Sequence, residues 1–182
     1  MKKLICFVLC VVFVLSLTAC GSEGNEKATH SIDIEYFVKL GQIKDFEYKL
    51  GDSIDDAKTL LSQTTNDHGE SNYFDYPAGD YTVMSDGEIC VCYKTDDQAS
   101  GVTHIVKYGD SYGFPVGAVS TQVRDAMTGM GFTATERETK QGELFFMPSG
   151  SDMTILEYEI EGVTLLFVFQ EHALSATVIS KA

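Results

Sequence analysis

The sequence predicts an α+β fold of two tandem units, each made of one helix packed on a three- to four-stranded antiparallel sheet. Two observations lead to this prediction. Short similarities recur in the same order in both halves of the chain, and in each half one helical pattern precedes several strand patterns joined by short turns. Strands that follow one another through short turns pair antiparallel, and one amphipathic helix then covers one face of them.

The repeat is visible as collinear matches at offsets of about 66 to 75 residues. Each match is short and mostly apolar, but the order of the matches is preserved along the chain. The predicted units are residues 31–108, which include a leading strand, and residues 109–182. Three of the matches relate residues 46–51 to 112–117, residues 77–83 to 148–155, and residues 102–106 to 176–180.

The first unit is predicted to open with a strand at residues 32–40, where apolar side chains alternate with mostly polar ones. The first helix follows. Ser53 suits the N-cap position, and Asp55 and Asp56 lie in the first turn, where the helix dipole favours negative charge. The apolar stripe of this helix consists of Ile54, Ala57, Leu60 and Leu61.

The second helix repeats this scheme, with Ser120 near its cap and Gly129 and Gly131 near its end. Its apolar stripe consists of Val119, Val123, Ala126, Met127 and Met130. Strands are predicted near residues 73–76, 81–84, 89–95 and 102–108 in the first unit, and near residues 144–147, 154–159, 163–170 and 176–180 in the second.

The N-terminal segment predicts an exported protein. Lys2 and Lys3 precede an apolar run of 14 residues, Leu4 to Leu17, which is shorter than the ~20 residues of a membrane-spanning helix and is typical of a signal peptide. The run ends in Leu17-Thr18-Ala19-Cys20, which resembles the lipobox of bacterial lipoproteins. An ordinary secretory signal with an incidental cysteine is the alternative.

The lipobox resemblance implies a signal peptide at residues 1–19, diacylglycerol on the thiol of Cys20, cleavage before Cys20, and acylation or retention of the new N-terminus. The protein is then expected on the extracytoplasmic face of the cell membrane, held there by lipid. Residues 20–30 contain the lipidated cysteine and a polar stretch without large apolar residues, which predicts a flexible linker.

The charge of the chain restricts its partners. Lys and Arg together number 13 against 27 Asp and Glu, a formal net charge of −14, which is the wrong sign for holding phosphate backbones. Nucleic acid is therefore not expected as a partner. The composition predicts a protein or peptide partner of basic character, and no cofactor is expected.

The tandem pattern from about residue 44 onward resembles the architecture of β-lactamase inhibitor proteins. Each unit is also similar to the helix-plus-meander of small assembly lipoproteins of bacterial outer membranes. These resemblances imply protein binding on open sheet faces, without catalysis. Five aromatic residues are candidate anchors for such a partner: Tyr73, Phe74, Tyr76, Tyr112 and Phe145.

Two cysteines and one histidine suggest an alternative function in metal handling. If the hairpin pairs Thr95 with Gly101, Cys92 faces His104, and Cys90 shares their sheet face, which suits Zn²⁺ or Cu⁺. The repeat places Leu166, Val168 and Val178 at the equivalent positions, which favours buried core side chains instead. We therefore predict no metal site and keep Cys90, Cys92 and His104 as weak candidates.

A serine esterase is the second alternative. Gly109-Asp110-Ser111-Tyr112-Gly113 fits the G-x-S-x-G pattern, and both Gly51-Asp52-Ser53 and Gly109-Asp110-Ser111 resemble the Gly-Asp-Ser core of a lipolytic hydrolase family. That family supplies its base as D-x-x-H, and no histidine of this chain has Asp three residues before it. We therefore predict no catalytic residues and no enzymatic activity.

Overall fold

In the computed structural model, which describes residues 33–139, 143–147 and 153–182, eight strands form one antiparallel sheet. The lipobox at Leu17–Cys20 and the predicted linker lie outside the described residues. The sheet order is β1-β2-β3-β4-β8-β7-β6-β5. The strands are β1 (Phe74–Ala78), β2 (Tyr81–Ser85), β3 (Ile89–Lys94), β4 (His104–Tyr108), β5 (Thr135–Thr139), β6 (Met153–Ile160), β7 (Val163–Gln170) and β8 (Ala173–Lys181).

The predicted fold of two tandem units, each with one helix on its own three- to four-stranded sheet, is wrong. The finding that overturns it is the pairing of β4 with β8, from His104↔Ser180 to Tyr108↔Ala176, which joins all eight strands. If β4 and β8 were the last strands of two separate sheets, each would expose a row of unpaired backbone N–H and C=O groups. Pairing satisfies both edges, and Ile105 and Val178 at this junction are fully buried.

The helices lie on one face of the sheet. They are α1 (residues 33–39), α2 (Ile54–Leu61) and α3 (Ser120–Gly129), and none of the described helices has the length and apolarity to cross a membrane. The predictions of α2 and α3 are confirmed. Ser53 caps α2, since its Oγ accepts a hydrogen bond from the Asp56 N–H at 3.1 Å, and each helix buries residues of its predicted stripe.

The leading strand predicted at residues 32–40 is wrong, because residues 33–39 form α1. Ile34 and Val38 are fully buried, whereas Tyr36 between them is 57% exposed. An alternating pattern also contains pairs of apolar residues four apart, which lie on one face of a helix. The period-2 pattern in this segment therefore did not distinguish a strand from a one-sided helix.

The strand predicted at residues 144–147 is also wrong, and β5 was missed. Residues 143–147 are irregular, and Leu144, Phe146 and Met147 pack on the sheet face opposite the helices. These residues are therefore apolar because they cover the sheet, and not because they belong to one of its strands. β5 is an edge strand of sequence Thr-Glu-Arg-Glu-Thr, mostly exposed, so it has no apolar alternation for sequence reasoning to detect.

Candidate functional site

Three segments that are distant in sequence surround a cavity of about 450 Å³ on the helical side of the first four strands. We call it the acidic pocket. It is lined by residues 45–48 after α1, by Leu60, Gln63 and Thr64 at the end of α2, and by Asp86, Glu88 and Ile89 around the turn between β2 and β3. The fold therefore creates this pocket by placing the end of α2 against a hairpin turn.

Four carboxylates line the acidic pocket, from Asp45, Glu47, Asp86 and Glu88, and no Lys or Arg is among its described lining residues. The rest of the wall combines apolar and aromatic side chains with two neutral polar residues, a glutamine and a threonine. This combination of negative charge and aromatic surface attracts an ammonium or guanidinium group on an organic stem, because both the carboxylates and the ring faces favour a cation.

Asp86 is held in a fixed position by three hydrogen bonds. Its Oδ1 accepts from the backbone N–H groups of Glu88 at 3.0 Å and Ile89 at 2.9 Å, and its Oδ2 accepts from Thr64 Oγ1 at 2.9 Å. These bonds shape the β2–β3 turn and tie it to the segment after α2. The carboxylate is thus preorganised, which reduces the ordering cost of binding a cation.

Tyr48 contributes a phenol ring and a hydroxyl to the wall of the acidic pocket. The residue is only 7% exposed. Burial, together with the negative charges of Asp86 and Glu47, raises the pKa of Tyr48 to about 12. The hydroxyl therefore stays protonated and lies in a negative potential.

Lys44 and Lys107, which line a neighbouring cavity together with Asp45, each pair with a carboxylate outside the acidic pocket. Lys44 Nζ pairs with Asp33 Oδ2 at 2.5 Å, and Lys107 Nζ pairs with Asp110 Oδ1 at 3.0 Å while lying 5.6 Å from the centre of the Phe46 ring. Each lysine thus has a carboxylate partner outside the pocket. The four carboxylates of the pocket form no ion pair with a described residue.

A second cavity, of about 290 Å³, lies on the opposite face of the sheet, and we call it the aromatic pocket. Phe74 and Tyr76 on β1 are 47% and 36% exposed, and their rings stack with centroids 6.2 Å apart. The remaining wall consists of Ser85, Gly87, Cys90 and Tyr108.

Ser85, Cys90 and Tyr108 in the wall of the aromatic pocket all have hydrogen-bond partners. The Cys90 thiol lies 3.1 Å from Ser85 Oγ and 3.4 Å from Tyr108 Oη, and these hydroxyls donate to the carbonyls of Ile89 and Phe146 respectively. Burial raises the pKa of the Cys90 thiol, so the nucleophilic thiolate is disfavoured. The aromatic pocket therefore offers apolar contact and no free charge.

The register of β3 and β4 brings Cys92 opposite His104, as the sequence predicted, and Cys90 shares their face of the sheet. Their surroundings are those of core side chains. The His104 ring packs edge-on against Tyr81 and Phe145, and burial lowers the pKa of His104 to about 4. Both cysteines are free and buried, and the described residues contain no cluster of three or more metal-ligating side chains.

Both candidate serine nucleophiles occupy positions with a structural role. Ser53 caps α2, whereas Ser111 is 5% exposed and its backbone closes a tight turn with Phe114. The Ser111 hydroxyl makes no hydrogen bond to a described residue, so no described histidine is placed to accept its proton. Within the described chain, the residues that a serine hydrolase needs are not brought together.

The predicted aromatic anchors divide into two groups. Phe74 and Tyr76 are the exposed ones. Tyr73 packs partly buried against the core, Tyr112 is buried with its hydroxyl donating to the Gln42 carbonyl at 3.0 Å, and Phe145 stacks on Tyr81 with centroids 4.3 Å apart. Sequence reasoning missed the acidic pocket. Its available signal was the mixture of carboxylates and aromatic residues at positions 45–48, together with the two carboxylates that flank Gly87.

No protein-family model matches this chain, and no curated protein matches it significantly. Among solved structures, the crystal structure of a DUF4309 family protein from Bacillus subtilis subsp. subtilis str. 168 is similar to it at a TM-score of 0.46 and 10% sequence identity. The match covers 87% of this chain and 100% of the other. At that TM-score the similarity carries no argument about fold or function.

Proposed function

We propose that this protein is a lipid-anchored extracytoplasmic binding protein that holds a basic segment of a protein or peptide in the acidic pocket, without catalysing a reaction. The observation that carries the proposal is a cavity of about 450 Å³ whose four charged lining residues are all carboxylates. Its volume lies within the range of about 300–1,000 Å³ that is usual for ligand pockets.

The pocket has the chemistry to receive one Lys or Arg side chain. The alkyl stem of such a residue packs against Phe46 and Leu60, while its charged end reaches the carboxylates of Glu47, Asp86 and Glu88. The Tyr48 hydroxyl lies on the same wall and can accept a hydrogen bond from the cation.

The charge of the whole chain supports the same class of partner. At a net charge of −14, the protein attracts basic partners over a distance and accelerates their association at low ionic strength. Binding should therefore weaken as salt is added, since exposed charges are screened over about 10 Å at 0.1 M ionic strength.

The membrane anchor in this proposal is the lipid on Cys20. One acyl chain gives only marginal membrane binding, whereas two or three chains hold a protein on a bilayer for long times. A Cys20→Ala variant should lose incorporation of labelled palmitate and leave the membrane fraction, and Cys10→Ala in the predicted signal peptide serves as the control. A Cys20→Ala protein that still incorporates label and sediments with membranes would overturn the anchor.

The binding proposal is tested with full-length protein in detergent and fluorescent peptides of equal length that are basic, neutral or acidic. We expect the basic peptide to bind and the double variant Glu47→Gln with Glu88→Gln to weaken that binding about tenfold, since two charge-assisted contacts are lost. The matched control, Asp96→Asn with Asp125→Asn, removes two exposed charges elsewhere and should change the affinity less than about twofold. Equal weakening by both double variants would contradict a defined site.

A further inference from the structure

We infer that the partner of the acidic pocket is a bipartite segment, with one Lys or Arg in the acidic pocket and one aromatic side chain in the aromatic pocket. The partner chain crosses the β2–β3 turn between the two pockets. This inference rests on the proposed function and adds to it the second half of the recognition site.

The two pockets share the β2–β3 turn as a common wall. Asp86 and Glu88 line the acidic pocket, and Gly87 between them lines the aromatic pocket. The backbone connects the two sides directly, since the Tyr108 N–H donates to the Glu88 carbonyl at 3.0 Å and Tyr108 lines the aromatic pocket. The two pockets therefore adjoin at this turn, one on each face of the sheet.

Gly87 leaves the path between the pockets open. Its φ of +95° is a conformation that favours glycine, and a Cβ placed there would meet nothing within 4 Å. The turn thus presents bare backbone at Gly87, and the space beside it can accommodate an extended partner chain.

The aromatic pocket favours an aromatic side chain on that partner. The stacked rings of Phe74 and Tyr76 offer a half-exposed apolar surface, and the thiol and hydroxyls behind them already have hydrogen-bond partners. A charged group would lose its hydration there without gaining a partner, whereas a ring stacks favourably on other rings. Aromatic residues in such half-buried positions often dominate the affinity of an interface.

The charge distribution favours a basic partner over a second copy of this chain. Asp75 lies between Phe74 and Tyr76 on the exposed strand, and Asp86 and Glu88 lie on either side of Gly87. A second copy would bring its own net charge of −14 against these carboxylates, and like charges oppose such association. A segment that combines a cation with a ring matches both pockets.

The test uses full-length protein in detergent and three peptides, which carry the basic residue alone, the aromatic residue alone, or both. The doubly substituted peptide is made with one, three or five intervening residues, since an extended chain advances about 3.3 Å per residue. We expect at least one spacing to bind about tenfold more tightly than the basic peptide.

The double variant Phe74→Ala with Tyr76→Ala should remove that gain and leave the affinity for the basic peptide unchanged. Tyr36→Ala is the matched control, because Tyr36 is 57% exposed on α1 and lines neither pocket. Should the double variant fold poorly, amide NMR shifts in wild-type protein report the same contact. The ring-bearing peptide should then shift Gly87 and Cys90, and the basic peptide should leave Cys90 unshifted.

Two failures are distinguishable. If the ring adds no affinity at any spacing, or if the gain survives in the double variant, the bipartite inference is overturned while the acidic pocket stands. If the basic peptide does not bind, or if Glu47→Gln with Glu88→Gln has no effect on it, the proposed function fails and the inference fails with it.

Discussion

The two edges of the sheet differ in whether their carboxylates form ion pairs. At the β5 edge, the chain's two arginines pair with carboxylates: Arg124 with Glu136, and Arg137 with both Glu143 and Glu157. At the β1 end, the carboxylates of the acidic pocket form no ion pair with a described residue, and two aromatic rings lie exposed on β1. Unpaired carboxylates and exposed aromatic surface therefore occur at the same end of the sheet, a combination typical of binding regions.

The largest effect that we expect is on the free energy of unfolding. It differs between Gly101 in the first half of the chain and Gly117 in the second half. A Cβ at Gly101 would lie 2.4 Å from the Asp52 carbonyl oxygen at a φ of +66°, whereas one at Gly117, at a φ of +84°, meets nothing within 4 Å. Gly101→Ala should lower the free energy of unfolding by about 3 kcal/mol or more, and Gly117→Ala by only about 1 kcal/mol. Urea denaturation measures both, and equal losses would show that the close contact is not specific to the first half.

The next effect concerns His104, where the halves meet. Its ring contacts Tyr81 from β2 and Phe145 from the covering segment 143–147, and burial lowers the pKa of His104 to about 4 from an ordinary 6.5. The unfolded chain binds a proton at His104 more readily than the folded chain does. The contribution of His104 to the free energy of unfolding is therefore fully present above pH 6.5 and decreases as the pH falls toward 4.

Denaturation at pH 7.5 and pH 5 should therefore show a loss of roughly 1–2 kcal/mol that His104→Phe removes. The phenyl ring keeps the aromatic contacts and cannot titrate, so the difference between the two proteins isolates the imidazole from the carboxylates. An identical pH dependence in both proteins would mean that the His104 environment is solvated.

The smallest effects test directly whether carboxylates are ion-paired at the β5 edge and not in the acidic pocket. Glu157 accepts from Arg137 Nε at 3.2 Å, so Glu157→Gln should lower the free energy of unfolding by about 0.5 kcal/mol. Glu88→Gln removes a carboxylate that lies among like charges and should raise the same free energy by about 0.3 kcal/mol. Opposite signs are the expected result in thermal or urea unfolding, and equal signs would contradict the difference between the edges.

Local sequence patterns predicted α2 and α3 better than they predicted how the strands combine into one sheet. Ser53 and the stripe ending at Leu61 specified α2 because capping and helical spacing are encoded within a few residues. The β4–β8 pairing joins residues about 70 positions apart, and no local pattern distinguishes one continuous sheet from two separate sheets. The segment at residues 144–147 was misinterpreted for a related reason, since burial against a sheet and membership of a sheet both select apolar residues.

The candidate site was less predictable than the elements around it. The pairing of Cys92 with His104 depends on a single hairpin register, and the structure has the register for which it was expected. The acidic pocket needs residues 45–48, the end of α2 and the β2–β3 turn to converge, and their carboxylates are spread over more than 40 residues of an acidic chain. Overall charge led to the expectation of a basic partner, but only the fold places Glu47 and Asp86 on one cavity.

The position of β8 in the middle of the sheet has a consequence for biogenesis. β8 is made after β1 to β7, yet it lies between β4 and β7. Until it emerges, both of those neighbours retain unpaired backbone edges, which invite aggregation. The sheet is therefore completed only when the last strand of the chain fills the gap between β4 and β7.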